Sequence, residues 1–190
     1  MESAISARNP ATIRPLSRIV SGGQTGVDRA ALDAAIVAGI DIGGWCPRDR
    51  RSEDGIIPAR YPLRETASRS YAVRTEWNVR DSDATLILVL DRISSGTRLT
   101  VDSAKAQGKP LRIEYLISES EPTLLAEALS LSERAAEVAD WIRREEIHTL
   151  NIAGPRGSSR KDVYEKSLEF LTELFALHAA GRKTKRTKRK

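Results

Sequence analysis

Cysteine is nearly missing: Cys46 stands alone, and histidine is limited to His148 and His178. A single thiol excludes an internal disulfide framework and suits a reducing compartment. One cysteine with two histidines also falls short of a closed Cys/His zinc site. No apolar run approaches the roughly 18 to 20 residues that cross a bilayer. The opening "MESAISARNPATIRPLSR" lacks the apolar centre of a secretory signal, so residues 1–17 read as a flexible lead-in and cytoplasm is the expected compartment. Basic charge is scarce in the body as well. The net charge is +5, but seven Lys or Arg lie in the final "GRKTKRTKRK", and setting them aside leaves −2 for residues 1–180. A basic surface that grips nucleic acid is therefore not expected. The tail, 181–190, reads as disordered, with contact to nucleic acid or anionic lipid its alternative use.

What is present describes a globule. At 190 residues, 40% hydrophobic and 30% charged, the chain suits a single domain over 18–180 with a substantial core. Short β-branched runs alternate with longer helical patterns, the signature of strand–helix–strand units around a mostly parallel sheet. Strands are expected at 18–22, 40–46, 84–90, 110–116 and 149–154. "ATLILVL" (84–90) is apolar nearly throughout and belongs mid-sheet, covered on both faces. Helices are expected near 27–38, 68–80, 97–107, 124–146 and 161–180. Val27, Ala30, Ala31, Ala34 and Ala38 make a small-residue stripe in the first, with Gly39 as its stop. Tyr164, Leu168, Leu171 and Phe175 share one side of the last. Residues 46–67, "CPRDRRSEDGIIPARYPLRETA", have no periodicity and form a long connection of the functional or disordered kind.

In a parallel sheet all strand-to-helix turns lie at the carboxyl edge, where open α/β folds bind ligands. Three turns there are rich in glycine and hydroxyls. Gly22, Gly23, Gln24, Thr25 and Gly26 form the first, which is either a phosphate cradle or a plain turn with a capped helix. It lacks the Gly-Lys-Ser/Thr of a P-loop and the spacing of a dinucleotide fingerprint. Gly96 and Thr97 in "SSGTRLT" open a helix after the central strand, again structural or donor-bearing. Gly154, Arg156 and Ser158 in "AGPRGSS" combine backbone access, a guanidinium suited to phosphate, and a hydroxyl. Arg74, Asn78 and Asp81 fall on one helical face, which either approaches the ligand or is solvated. Trp45 either stacks on a heterocycle or packs, and Cys46 either meets a metal or is buried and inert. Trp77 and Tyr71 read as packing residues. Arg48, Arg50 and Arg51 either close over a phosphate or form a solvated cluster.

"SGGQTGVDRAALDAA", "GGWCPRDRRSEDGIIPARYPLRET", "RTEWNVRDSDATLIL", "GTRLT" and "AGPR" together closely resemble the molybdenum carrier (molybdenum-cofactor-carrier-like) family, over roughly residues 18–175. That family is a Rossmann-like relative of the LOG and lysine-decarboxylase-like proteins. The resemblance implies an α/β Rossmann-like open sheet of about five or more strands with helices on both faces. It also implies a homo-oligomer and a small phosphate-bearing ligand: the molybdenum cofactor (molybdopterin), or alternatively a nucleotide. On it, Gly22 to Gly26 become the first phosphate-facing loop, Gly96 and Thr97 the second, and Arg74 and Asn78 polar contacts. LOG-like relatives read Gly-Gly-x-Gly-Thr-x-x-Glu at the second turn, and that glutamate takes part in hydrolysing a glycosidic bond. Here Ser94-Ser95 and Thr100 depart from it, and a hydroxyl cannot replace a carboxylate base near neutral pH. Glu53, Asp54 or Asp28 would have to serve instead. A non-enzymatic carrier is the expected function, with no protein metal ligands. The alternatives are a LOG-like phosphoribohydrolase and a nucleotide-sensing regulatory module.

Overall fold

Six consecutive buried residues, Ala84–Val89, form the strand that organises the molecule. In the computed structural model, which describes residues 16–116 and 129–187, the strands are β1 (Arg18–Val20), β2 (Asp41–Gly43), β3 (Trp45–Cys46), β4 (Arg51–Ser52), β5 (Gly55–Ile56), β6 (Arg64–Glu65), β7 (Ala84–Val89), β8 (Leu111–Tyr115) and β9 (Thr149–Ala153). The helices are α1 (Val27–Val37), α2 (Tyr71–Arg80), α3 (Ser95–Ala106), α4 (Leu131–Arg144) and α5 (Val163–Thr187). Five strands make one wholly parallel sheet in the order β2-β1-β9-β7-β8. β9 comes last in the chain yet lies mid-sheet, pairing Leu150 with Ile19 on one side and Ala84 on the other.

Alternation along the strands assigns the two faces. Ile19, Leu150, Ile152, Leu86 and Leu88 meet α1, α4 and α5 in the larger core. Ile87, Val89 and Ala153 face the other way and meet Val101 of α3. Helices thus cover both faces, an α/β Rossmann-like arrangement. The alanine stripe behaves as expected at Ala30, Ala31 and Ala34, which are buried, whereas Ala38 is the exposed residue ending α1. Leu171 and Phe175 are buried and Leu168 packs beside them, while Tyr164 donates its hydroxyl to Asp33 at 2.9 Å. Trp141 is a core residue.

Two boundaries differ from the sequence expectation. The expected start of α4 near Leu124 lies outside the described residues. Leu129 and Ser130 are non-helical, and a capping box starts the helix: Ser130 accepts from the Glu133 amide and Glu133 from the Ser130 amide. α5 runs to Thr187 rather than ending near 180, so its backbone carries much of the basic segment.

The 46–67 connection is built rather than loose. Cys46, Ile57, Tyr61 and Leu63 form a second small core against Leu32 of α1. β3 pairs with β6, and β4 with β5 as a hairpin. Arg50 holds the interior together, donating to the carbonyls of Ile57 at 3.0 Å, Leu63 at 3.2 Å, and Pro58 and Tyr61 at 3.0 and 2.9 Å. Its guanidinium is consumed by the segment's own backbone.

Candidate functional site

Because β1, β9 and β7 are adjacent and parallel, the turns that follow them emerge side by side at one edge. Between them lies a cleft of about 250 Å³. It brings together six of the residues expected to bind a ligand: Gln24 from the first turn, Gly96 and Thr97 from the second, Gly154 and Arg156 from the third, and Arg74 from α2. Gly22, Gly23, Thr25, Gly26 and Asn78 do not line it.

Part of the first turn is occupied by the protein itself. The Gln24 amide donates to Asp28 Oδ2 at 3.2 Å, the Thr25 amide to Gln24 Oε1 at 3.0 Å, and the Val27 amide to the Pro155 carbonyl at 3.2 Å. Each glycine makes room for a neighbour. Gly22 lies under the Arg74 guanidinium. Gly23, at φ +72°, faces Leu63 and Ile57, and Gly26, at φ +76°, faces the backbone of Pro155 to Gly157. The Thr25 hydroxyl accepts from the Gly157 amide at 2.9 Å and also contacts Glu53. The geometry therefore gives the turn a clasping role. Asn78 is likewise spent: its amide group clamps the Trp45 backbone, accepting at 2.7 Å and donating at 3.0 Å.

α3 supplies donors that line the cleft. Ser94 caps it, accepting from the Thr97 amide at 3.2 Å. The amides of Ser95 and Gly96 have no acceptor among the described residues, so they face the cleft as first-turn donors with the helix dipole behind them.

Arg74 and Asp28 form the floor. Asp28 is buried and lies 3.3 Å from an Arg74 terminal nitrogen. Burial pushes its carboxyl above the usual range, and the Arg74 charge offsets only part of that. Arg74 Nε is buried without a hydrogen-bond partner among the described residues. Tyr71, three residues earlier on α2, places its ring 5.9 Å from the same guanidinium and lines the cleft. Tyr71 was expected to be a packing residue; its i, i+3 spacing from Arg74 was the available signal.

Glu53 and Asp54 lie off the cleft and tie the β4–β5 hairpin to its rim. Glu53 accepts from the Ser158 amide at 3.0 Å and hydroxyl at 2.6 Å, and pairs with Arg156 at 3.3 Å. Burial works against its charge, but the hydrogen bonds from Ser158 and Thr25 outweigh it and lower its carboxyl. Hydrogen bonds from Arg29 hold Asp54 down to about 2. The folded value lies below the ordinary 3.8, so Asp54 contributes stability above that pH and loses it as pH falls toward 2. The expected result in urea unfolding is that the wild-type advantage over Asp54→Asn, below about 1 kcal/mol for so exposed a pair, vanishes across that window.

The ring and thiol next to β2 point elsewhere. Trp45 donates its indole N–H to Asp81 at 2.7 Å and meets Trp77 edge-on at 4.7 Å, lining a different cleft. Cys46 is fully buried, which raises its thiol above the ordinary value. Among the described residues no group of three or more His, Cys, Asp or Glu side chains is placed to hold a metal ion, and no helix is long and apolar enough to cross a membrane.

Comparison with known proteins agrees with this architecture. No curated protein matches the chain. A crystal structure from Syntrophus aciditrophicus, of a protein named "putative molybdenum carrier protein", is 38% identical, covers 85% of this chain and 96% of its own, and superposes with a TM-score of 0.75. Residues 19–175 match the family model described as circularly permutated YpsA SLOG. With that match running from Ile19 in β1 to the first half of α5, the chain belongs to the circularly permutated YpsA SLOG family.

Proposed function

We propose that the protein binds a flat heterocycle bearing a phosphate, the pterin of the molybdenum cofactor, and carries it without catalysing a reaction on it. The observation that carries this reading is the convergence of the α3 amides, Arg156 and Arg74 on one cleft. Ser95, Gly96 and Arg156 take the phosphate. Tyr71 offers a ring face to the heterocycle, and the buried Asp28 carboxylate accepts from its N–H edge. The name of the Syntrophus structure points the same way. The cofactor is cargo here, and the residues present fit its phosphate and ring; the metal end meets no protein thiolate, because Cys46 is enclosed in the small core.

One observation favours a second reading. Asp28 is a carboxylate in the cleft with a raised protonation range, which suits acid–base work on a nucleotide. Native mass spectrometry of freshly purified full-length protein, combined with metal analysis, separates the two. A retained phosphorylated pterin with equimolar molybdenum is the expected result. A retained nucleotide without molybdenum would overturn the carrier reading in favour of the second, and a protein that neither retains nor rebinds either class would overturn both.

A further inference from the structure

The cleft beside Trp45 shares no lining residue with the one at the carboxyl edge. Along β1, Arg18 and Val20 point away from the larger core that Ile19 enters, so they face the other side of the sheet. There a recess of about 170 Å³ takes Arg18, Val20 and Thr149 from the sheet and Trp45, Arg64 and Asp81 from the elements beside it. Two guanidiniums are placed in it by the fold. Arg18 lies across Gly43 of β2, where a methyl group would collide with its terminal nitrogen. Arg64 stands opposite Trp45 in the β3–β6 pair, with its guanidinium 5.7 Å from the centre of that ring. Neither charge is answered by an acid among the described residues. The carboxylate of the recess, Asp81, is already answered twice, by Arg80 at 2.6 Å and by the Trp45 indole N–H at 2.7 Å.

We propose that this recess is a separate anion site, in which Arg18 and Arg64 hold a small free oxyanion of two negative charges, inorganic phosphate or a short dicarboxylate. Charge and size support this. A recess lined by unanswered charge of one sign concentrates counter-ions, and guanidinium forks match the oxygens of phosphate and carboxylate. The Thr149 hydroxyl is a third donor at the same place. The volume lies below the roughly 300–1,000 Å³ of sites for larger ligands, which excludes a nucleotide or a pterin. It is several times the volume of one water, which leaves room for a small anion.

Proton–nitrogen correlation spectra of the full-length protein test the idea, because the Trp45 indole N–H lies at the recess and Trp45→Phe assigns its signal. The protein is titrated with inorganic phosphate and separately with succinate, in mildly alkaline buffer with ionic strength held constant by sodium chloride. A saturating shift of the Trp45 signal is expected with at least one of the two, and whichever saturates names the anion. Arg18→Gln and Arg64→Gln, both exposed changes, should melt with wild type and each weaken the anion at least about tenfold. In Gly96→Ala, altered only at the first cleft, the same shift should persist with unchanged affinity. A Trp45 signal that saturates with neither anion would overturn the site. So would a saturating shift that keeps its affinity in both arginine variants, or one that vanishes in Gly96→Ala, because the anion would then be bound elsewhere.

Discussion

Arg74→Ala is expected to abolish ligand retention and to cost about 3–5 kcal/mol of stability, because it leaves Asp28 buried without its counter-charge. The loss of binding alone should be about a hundredfold, the scale of a charge-assisted hydrogen bond of roughly 1.5–3 kcal/mol. Two companion variants divide the effects. Asp28→Asn added to Arg74→Ala should recover much of the stability, since the stranded charge is gone, without recovering the ligand. Arg74→Lys keeps the charge but lacks the planar fork, so it should fold well and bind weakly. The pH dependence has a definite sign. Burial already raises the Asp28 carboxyl above 3.8, and without Arg74 it rises further, so the native state binds the extra proton. Stability of Arg74→Ala should then fall as pH climbs from 3.8, opposite to the contribution of Asp54. Chemical denaturation of the four proteins at pH 4 and pH 7 measures this. Equal stability of Arg74→Ala and wild type at pH 7 would show that the pair is not the floor of the site.

The sheet was legible because its strands carry strong local signals. Ala84–Val89 is apolar at nearly every position, and each other strand follows a glycine, proline or polar break. The convergence of three turns was legible for a topological reason: parallel strands put their carboxyl ends together whatever the loops contain. The partners of individual glycines were not. A glycine in a turn announces that something comes close or that φ is positive, and it does not say what. At Gly22 the neighbour is the Arg74 guanidinium, 52 residues on, and at Gly26 it is the turn after β9. Asn78 illustrates the same limit. Its place on the Arg74 face was correct, but its amide is committed to the backbone of Trp45, an element with no sequence mark linking it to α2. The capping box at Ser130 and Glu133 is written in "SLSE", but the helical pattern of the sequence continues upstream across it.

Gly26→Ala and Gly96→Ala separate the clasp from the binding surface, and their outcomes should differ most of all single glycine changes. At Gly26 an added methyl would lie 2.5 Å from the Pro155 carbonyl oxygen and 2.8 Å from the Gly157 nitrogen, both backbone atoms that cannot rotate away. The φ of +76° adds roughly 1–2 kcal/mol of its own for a residue with a Cβ. Relief requires the third turn to move off the first, breaking the Val27–Pro155 and Gly157–Thr25 hydrogen bonds. A total loss above about 3 kcal/mol follows, so the variant should accumulate poorly or melt far below wild type. Gly23→Val belongs with it, since Leu63 and Ile57 occupy that space; the change would disturb the 46–67 segment before it touched a ligand. At Gly96 nothing lies within 4 Å of the new methyl and φ is not positive. That variant should fold as wild type or slightly better, given alanine's helix preference. Its methyl stands among the free amides of α3, so ligand affinity should fall about tenfold. Thermal melts and ligand titration of both proteins decide the matter: a Gly26→Ala that melts with wild type refutes the clasp, and a Gly96→Ala that binds like wild type removes α3 from the site.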